Sequence, residues 1–214
     1  MLVGTKIVQR YNFFLICASA RDFFYKLFVY VNFFLYLCAL NWNRMGSFEQ
    51  LCQQRRSIRK YTSQPVEREK IDYMLRCALM APSGKRLNPW EFVVVEDIET
   101  IRQMAPCKEY GSGMLETAMA AIVVALDSRK SDTWQADGAI AAEHLLLAAA
   151  EQGLGACWCH IYGREEAESL VRKLTGIPEE MNVLCVISLG YKDEERRSYE
   201  LDKLRYDKVH NERF

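Results

Sequence analysis

Four short apolar runs, EFVVVED, AAIVVALD, ACWCHIY and VLCVISLGY, alternate with longer segments of helical spacing, and this alternation constrains the fold more than any other feature of the chain. Runs of this length, rich in valine and isoleucine, read as buried strands. They place strands at Phe92 to Val95, Ala120 to Asp127, 156–162 and 183–191. Ahead of them, Ser47 and Gln50 form a capping-box pattern, followed by Phe48, Leu51, Cys52 and Arg55 at helical spacing. PVEREKIDYMLRCALMAPSG then puts Val66, Ile71, Met74, Leu75, Ala78 and Leu79 on one helical face until Pro82 and Gly84 stop it. A short helix surrounds Ile101, a long alanine-rich helix ends at Gly153, and REEAESLVRKLTG makes another. Strands alternating with helices around one central sheet predict an α/β or α+β domain.

The alternation starts only after a break in composition. Residues 1–44 hold 12 of the chain's 25 aromatic side chains, five basic residues (Lys6, Arg10, Arg21, Lys26, Arg44), one acid (Asp22) and no proline. The other 170 residues carry 23 basic and 27 acidic side chains. The chain is therefore read as an aromatic, basic extension over 1–44 and one domain over 45–214. Leu27 to Trp42 is apolar but short for a bilayer-spanning helix, which needs roughly 20 residues. Residues 13–26 would add length only with Arg21, Asp22 and Lys26 at membrane depth. A secretory signal lacks a convincing cleavage site. The favoured expectation is that translation begins at Met45 and that 1–44 is upstream read-through, with a membrane anchor as the alternative. Eight cysteines without repeated spacing suit a reduced, cytoplasmic thiol inventory.

Few residues offer proton-transfer or metal chemistry. His144 lies among leucines, and on a strand Cys157 and Cys159 point away from His160, so no metal site is expected. No Gly-x-Gly-x-x-Gly follows a strand, and no Walker-type lysine loop occurs. An acidic domain without a second basic patch argues against nucleic acid. What remains suits an anionic, planar ligand. Arg55, Arg56, Ser57 and Arg59 sit at a helix exit, where guanidinium forks and a hydroxyl share phosphate oxygens well. APSGKRLNPW adds a donor-rich turn with Ser83, Lys85, Arg86 and Asn88, and GLGACW adds glycines that let backbone approach a ligand.

In this order, RRSIRKYTSQPVEREKIDYMLRCALMAPSGKRLNPWEFVVVED, AAAEQGLGACW and DKVHNERF resemble the nitroreductase family over nearly all of Met45 to Phe214. MGSFEQLCQQRRSIR is similar to the way short members begin, which motivates the expected start at Met45. The resemblance implies an α+β sandwich with a central mixed sheet flanked by helices, forming a homodimer with flavin mononucleotide (FMN) at the subunit interface. It implies that Arg55, Arg56 and Ser57 hold phosphate and ribityl oxygens, and that Arg59 approaches the pyrimidine side of the ring. Pro82 and Ser83 would reach the cofactor from the partner subunit, Leu154 and Gly155 would lie along the ring, and Arg205, or else Lys203, would reach the phosphate. Arg86 stands where the family has an asparagine, and Asn88 where it has a glutamine, so these amide contacts are altered.

No catalytic side chain is expected, since the flavin carries the redox chemistry, with Arg59 and Arg86 as electrostatic stabilisers. The implied activity is FMN-dependent reduction of nitroaromatics, quinones or similar small-molecule acceptors by NAD(P)H, in a ping-pong scheme. Two alternatives remain at this point. One is a reductive dehalogenase resembling iodotyrosine deiodinase, for which the domain looks too short to hold a lid. The other is a non-catalytic protein using RRSIR as a basic interaction motif.

Overall fold

AAIVVALD shows no alternation of polar and apolar residues because both faces of its strand are covered. In the computed structural model, which describes residues 47–214 together with Tyr25, Leu27, Val29 and Tyr30, this run is the central strand β2, Ala120–Leu126, buried throughout. Ala120, Ile122, Val124 and Leu126 enter one core cluster, while Ala121, Val123 and Ala125 enter a second. The other strands are β1 (Trp90–Val95), β3 (Gly155–His160) and β4 (Asn182–Gly190), in the order β1-β2-β4-β3. All three ladders are antiparallel. The mixed character expected of the sheet is confined to one parallel bridge, Ser57 to Ala156.

Helices cover the sheet as an α+β sandwich. The elements are α1 (Phe48–Gln54), α2 (Arg68–Leu79), α3 (Ile98–Met104), α4 (Trp134–Glu151) and α5 (Glu165–Thr175). The first core cluster joins the sheet to α2 and α4, and the second joins it to α3 and α5. On α2, Ile71, Met74 and Ala78 are buried, but Leu79, expected on the same face, is 59% exposed. At about 100° per residue, Leu79 falls about 100° from Ala78 and outside the stripe that meets α4.

By contact the chain divides into two compact units, residues 1–47 and 48–214. In the first, Tyr25, Leu27, Val29 and Tyr30 are helical and exposed, and Ser47 is exposed without being helical. The readings of 1–44 as read-through, signal or anchor, and of Met45 as the start, fall outside the described residues. Among the described residues no helix is long and apolar enough to cross a membrane.

One charge pair secures the start of β1. Asp127 follows β2 with its amide donating to Pro89 O at 3.0 Å, and its carboxylate accepts from Arg129 Nε at 2.7 Å and Nη2 at 2.9 Å. The Arg129 hydrogen bonds hold the Asp127 carboxyl down at about 2, below the usual carboxylate value of about 3.9. A depressed folded value means that the contribution is complete above pH ~4 and is lost as pH falls through about 2. Asp127→Asn should flatten that limb of an acid unfolding curve and leave the shape near pH 7 unaltered.

Candidate functional site

The arginine segment follows α1 because a pair of glycines makes room for it. Gly155 on β3 and Gly190 on β4 face each other in the ladder. A Cβ on Gly155 would lie 2.7 Å from Ile58 Cγ2, and one on Gly190 would lie 2.8 Å from Tyr61 Cβ. Ile58 and Tyr61 thus lie flat on the only two positions of that rung without side chains. The Ile58 amide donates to Ala156 O at 3.0 Å, and the Thr62 amide to Tyr191 O at 2.9 Å. The Tyr61 hydroxyl bonds Ile58 O at 2.6 Å and Ser188 Oγ at 2.7 Å, and burial pushes its phenol well up. The space beside Gly155, which the sequence assigned to close approach by a ligand, is filled on its Cβ side by Ile58.

With the segment fixed, its cations separate. Arg55 Nε meets Glu143 Oε1 at 3.8 Å, a long pair whose acid is half exposed. Such pairs hold weakly, so the guanidinium remains available to a stronger anion. Arg56 donates to Arg197 O and lies 4.3 Å over the Tyr199 ring, which occupies it with the C-terminal tail. The Arg59 amide donates to Glu194 and holds that carboxyl below its usual range, while among the described residues the Arg59 guanidinium reaches only Ser57 O, at 3.5 Å. Ser57 pairs in parallel with Ala156, next to Cys157 on β3. Leu154, buried, precedes Gly155 at the same sheet edge. Arg55, Arg56, Ser57, Arg59, Leu154 and Gly155 are therefore gathered in one place. An open cleft of about 790 Å³ adjoins Arg59 through Glu194, and its lining, Lys192 to Arg197, comes wholly from the tail.

Pro82, Ser83, Arg86 and Asn88 form a second cluster. Lys85, Arg86 and Asn88 adopt φ of 53°, 60° and 44°, left-handed values that cost of order 1–3 kcal/mol each for non-glycine residues. The loop keeps this shape through its anchors. Ser83 Oγ donates to Asn88 Oδ1 at 2.7 Å and accepts from the Asn88 amide at 3.0 Å. The Gly84 amide donates to Asp137 Oδ1 at 2.9 Å, and Asp137, buried in the first turn of α4, also accepts from Ser131 and Thr133 hydroxyls. The Ser83 hydroxyl proton is thus spent inside the loop, leaving the Asn88 amide NH2 and the exposed Arg86 as outward donors. Among the described residues Arg86 makes no ion pair.

Helix α4 keeps the two clusters apart. Asp137 and Glu143, their respective contacts, are six residues apart, about 9 Å along the axis and about 120° around it. Lys203 and Arg205 join neither cluster. They are exposed in the tail, where Lys203 pairs with Glu200 and Arg205 with Asp207.

This arrangement can be set beside known proteins. The sequence profile described as "Nitroreductase family" matches residues 52–109 and 106–191. The chain belongs to the nitroreductase family. A relative from Archaeoglobus fulgidus, provisionally named NADH dehydrogenase/NAD(P)H nitroreductase, is 41% identical over 165 residues, 75% of this chain and 94% of its own. An FMN-dependent nitroreductase from Clostridium difficile superposes with a TM-score of 0.75 at 41% identity, covering 77% of this chain and 98% of that one. A Desulfovibrio desulfuricans nitroreductase solved with FMN gives a TM-score of 0.67 at 26% identity, over 79% and 98%. With membership of the nitroreductase family come FMN as cofactor and the class of NAD(P)H-dependent flavin oxidoreductase.

Four residues escaped sequence reasoning. Asp137 shapes the 83–88 loop, Glu143 faces Arg55, Glu194 holds the Arg59 amide and Tyr199 covers Arg56. Only Asp137 left a trace, as an acid beside a glycine in the first turn of the alanine-rich helix. The acids of KDEERR read as solvated surface. Asp137→Ala should cost about 1–3 kcal/mol, because the Gly84 amide and the Ser131 hydroxyl lose a buried acceptor. Thermal unfolding measures that loss, and proteolysis within 83–88 should rise with it.

Proposed function

We propose that the arginine segment on the β3 edge binds the phosphate end of FMN and that two copies of the chain complete each site. The observation that carries this reading is the placement of Arg55, Ser57 and Arg59 beside Leu154 and Gly155, with both guanidinium groups weakly engaged. This donor set fits a phosphate monoester and ribityl hydroxyls. Arg55 and Ser57 take the phosphate and ribityl oxygens. Arg56 contributes mainly by fixing the tail, and Arg205, or else Lys203, leaves its present ion pair to reach the same anion. Arg59 holds positive charge at the pyrimidine side, and Leu154 and Gly155, buried in the free chain, build the sheet edge along which the ring lies.

The division imposed by α4 supports the dimer. Loop 82–88 faces a different side of that helix, so it serves the site of the other copy, with Pro82, Ser83, Arg86 and Asn88 of the partner subunit closing over the cofactor. Phe48 on α1, Leu79 at the end of α2, Ile140 on α4, and Met80 and Leu87 in the adjoining loops are all exposed and supply apolar surface for the contact. FMN, when bound, supplies hydride transfer between NAD(P)H and the acceptor. The protein orients the ring, keeps one open pocket for both substrates in turn, and places Arg59 and Arg86 where reduction adds negative charge. Nitroaromatics and quinones suit such a pocket, and the free thiols of Cys52, Cys77, Cys107, Cys157, Cys159 and Cys185 suit a cytoplasmic setting.

Initial rates of NADH and NADPH oxidation, measured against a panel of nitroaromatics, quinones and iodotyrosine, test this function. Parallel double-reciprocal lines with a nitroaromatic or quinone, from a protein of twice the chain mass in solution, are expected. Turnover confined to iodotyrosine, or a monomer with full activity, contradicts it.

A further inference from the structure

The charged run KDEERR after β4 does more than line the cleft beside Arg59. From Tyr191 to Tyr199 it runs antiparallel to the arginine segment. The Thr62 amide donates to Tyr191 O at 2.9 Å, the Asp193 amide to Lys60 O at 3.0 Å and the Tyr199 amide to Gln53 O at 3.0 Å, while Arg56 donates to Arg197 O. At Arg59 the partner is a side chain instead. The Arg59 amide donates to Glu194 Oε1 at 2.5 Å, and Glu194 Oε2 pairs with Arg196 Nη2 at 2.6 Å. The Glu194 side chain is 14% exposed and that of Arg196 44%, so the arginine covers an acid that is otherwise enclosed.

Both oxygens of Glu194 are thus engaged by groups other than the Arg59 guanidinium. This matters because the carboxylate sits at the backbone of an arginine whose flexible side chain is able to turn onto it. The guanidinium already folds back to Ser57 O at 3.5 Å, yet among the described residues it makes no ion pair. A bidentate carboxylate pair is the strongest link that a guanidinium makes within a chain. Arg196 occupies the oxygen that such a pair would need.

We infer that Arg196 is a positioning residue: by holding Glu194 Oε2 it keeps this acid off the Arg59 guanidinium and leaves that charge to the ligand. The inference rests on the reading of Arg59 given above, as the cation at the pyrimidine side of FMN. Arg196 acts through Glu194 and needs no contact of its own with the cofactor. Without it, Glu194 has a free oxygen and an uncompensated charge beside Arg59, and Arg59 no longer favours the more negative, reduced state of the ring.

The test is the midpoint potential of FMN bound to the full chain against that of free FMN, which gives the ratio of affinities for reduced and oxidised cofactor. In Arg196→Gln this ratio should fall by about two- to fivefold, the worth of a partly exposed ion pair. Glu194→Gln keeps an acceptor for the Arg59 amide and loses the charge. Alone it should move the ratio little, because Arg196 already covers that charge, and combined with Arg196→Gln it should restore the unaltered ratio. A role for Arg196 confined to pinning the tail would weaken oxidised and reduced FMN alike, and the weakening would persist in the double variant. The inference is overturned if Arg196→Gln leaves the ratio unchanged, or if the double variant stays as low as the single one. A rise with Glu194→Gln alone as large as the fall with Arg196→Gln also overturns it, because charge would then act additively and without competition for Arg59. Arg59→Gln separates the two levels of the argument. A fall in its ratio with Arg196→Gln inert overturns this inference alone, whereas a ratio unmoved by Arg59→Gln overturns the reading of Arg59 and the inference with it.

Discussion

Gly155→Val is expected to destabilise the domain by about 3 kcal/mol or more and to empty its cofactor site, because one position serves both packing and function. The Cβ alone would stand 2.7 Å from Ile58 Cγ2, 2.8 Å from Ile58 Cβ and 3.1 Å from Lys192 Cγ. Ile58 cannot yield cheaply, since its amide is bonded to Ala156 O and its carbonyl to the Tyr61 hydroxyl. The strain lifts residues 57–59 off the sheet edge and carries Ser57 and Arg59 with them. At about 2–4 °C per kcal/mol for a domain of this size, the melting temperature should fall by about 6–12 °C. Gly113→Ala is the control. Its Cβ meets nothing within 4 Å, so its effect should stay within about 0.5 kcal/mol. Equal melting temperatures for Gly155→Val and the unaltered protein would show that the glycine rung does not seat the arginine segment.

Arg55→Ala separates binding from folding. Its partner in the free protein is Glu143, at 3.8 Å and half exposed, so the melting temperature of the cofactor-free protein should scarcely move. A charge-assisted contact to phosphate contributes roughly 1.5–3 kcal/mol, so the FMN dissociation constant should rise about 10- to 150-fold. Glu143→Gln should not weaken FMN, because it removes an acid that competes for the same guanidinium. Fluorescence titration of both variants reads these changes directly.

Much of the fold was legible because local pattern and tertiary structure agree. The β2 run is apolar at every position, which is what a strand covered on both faces requires, and the long alanine-rich helix lies where its small side chains allow close packing on the sheet. Leu79 shows the limit, since spacing marks a face but not its edges. Within the candidate site, the cations and the donor loop stood out as residue types. Their seating did not, because the Gly155–Gly190 rung joins residues 35 positions apart. The supporting acids Glu194 and Glu143 look like any solvated charge until the chain is folded. The separation of the two clusters by α4 follows from helix phase, and no single segment of sequence carries it.

The ratio of FMN to riboflavin affinity, compared between the unaltered protein and Arg55→Ala, tests the central claim most directly, because the two ligands differ only in the phosphate. A clamp at the β3 edge predicts that the unaltered protein prefers FMN by tenfold or more, and that Arg55→Ala loses most of that preference while its riboflavin affinity stays the same. A preference that survives Arg55→Ala undiminished would place the phosphate elsewhere and contradict the account.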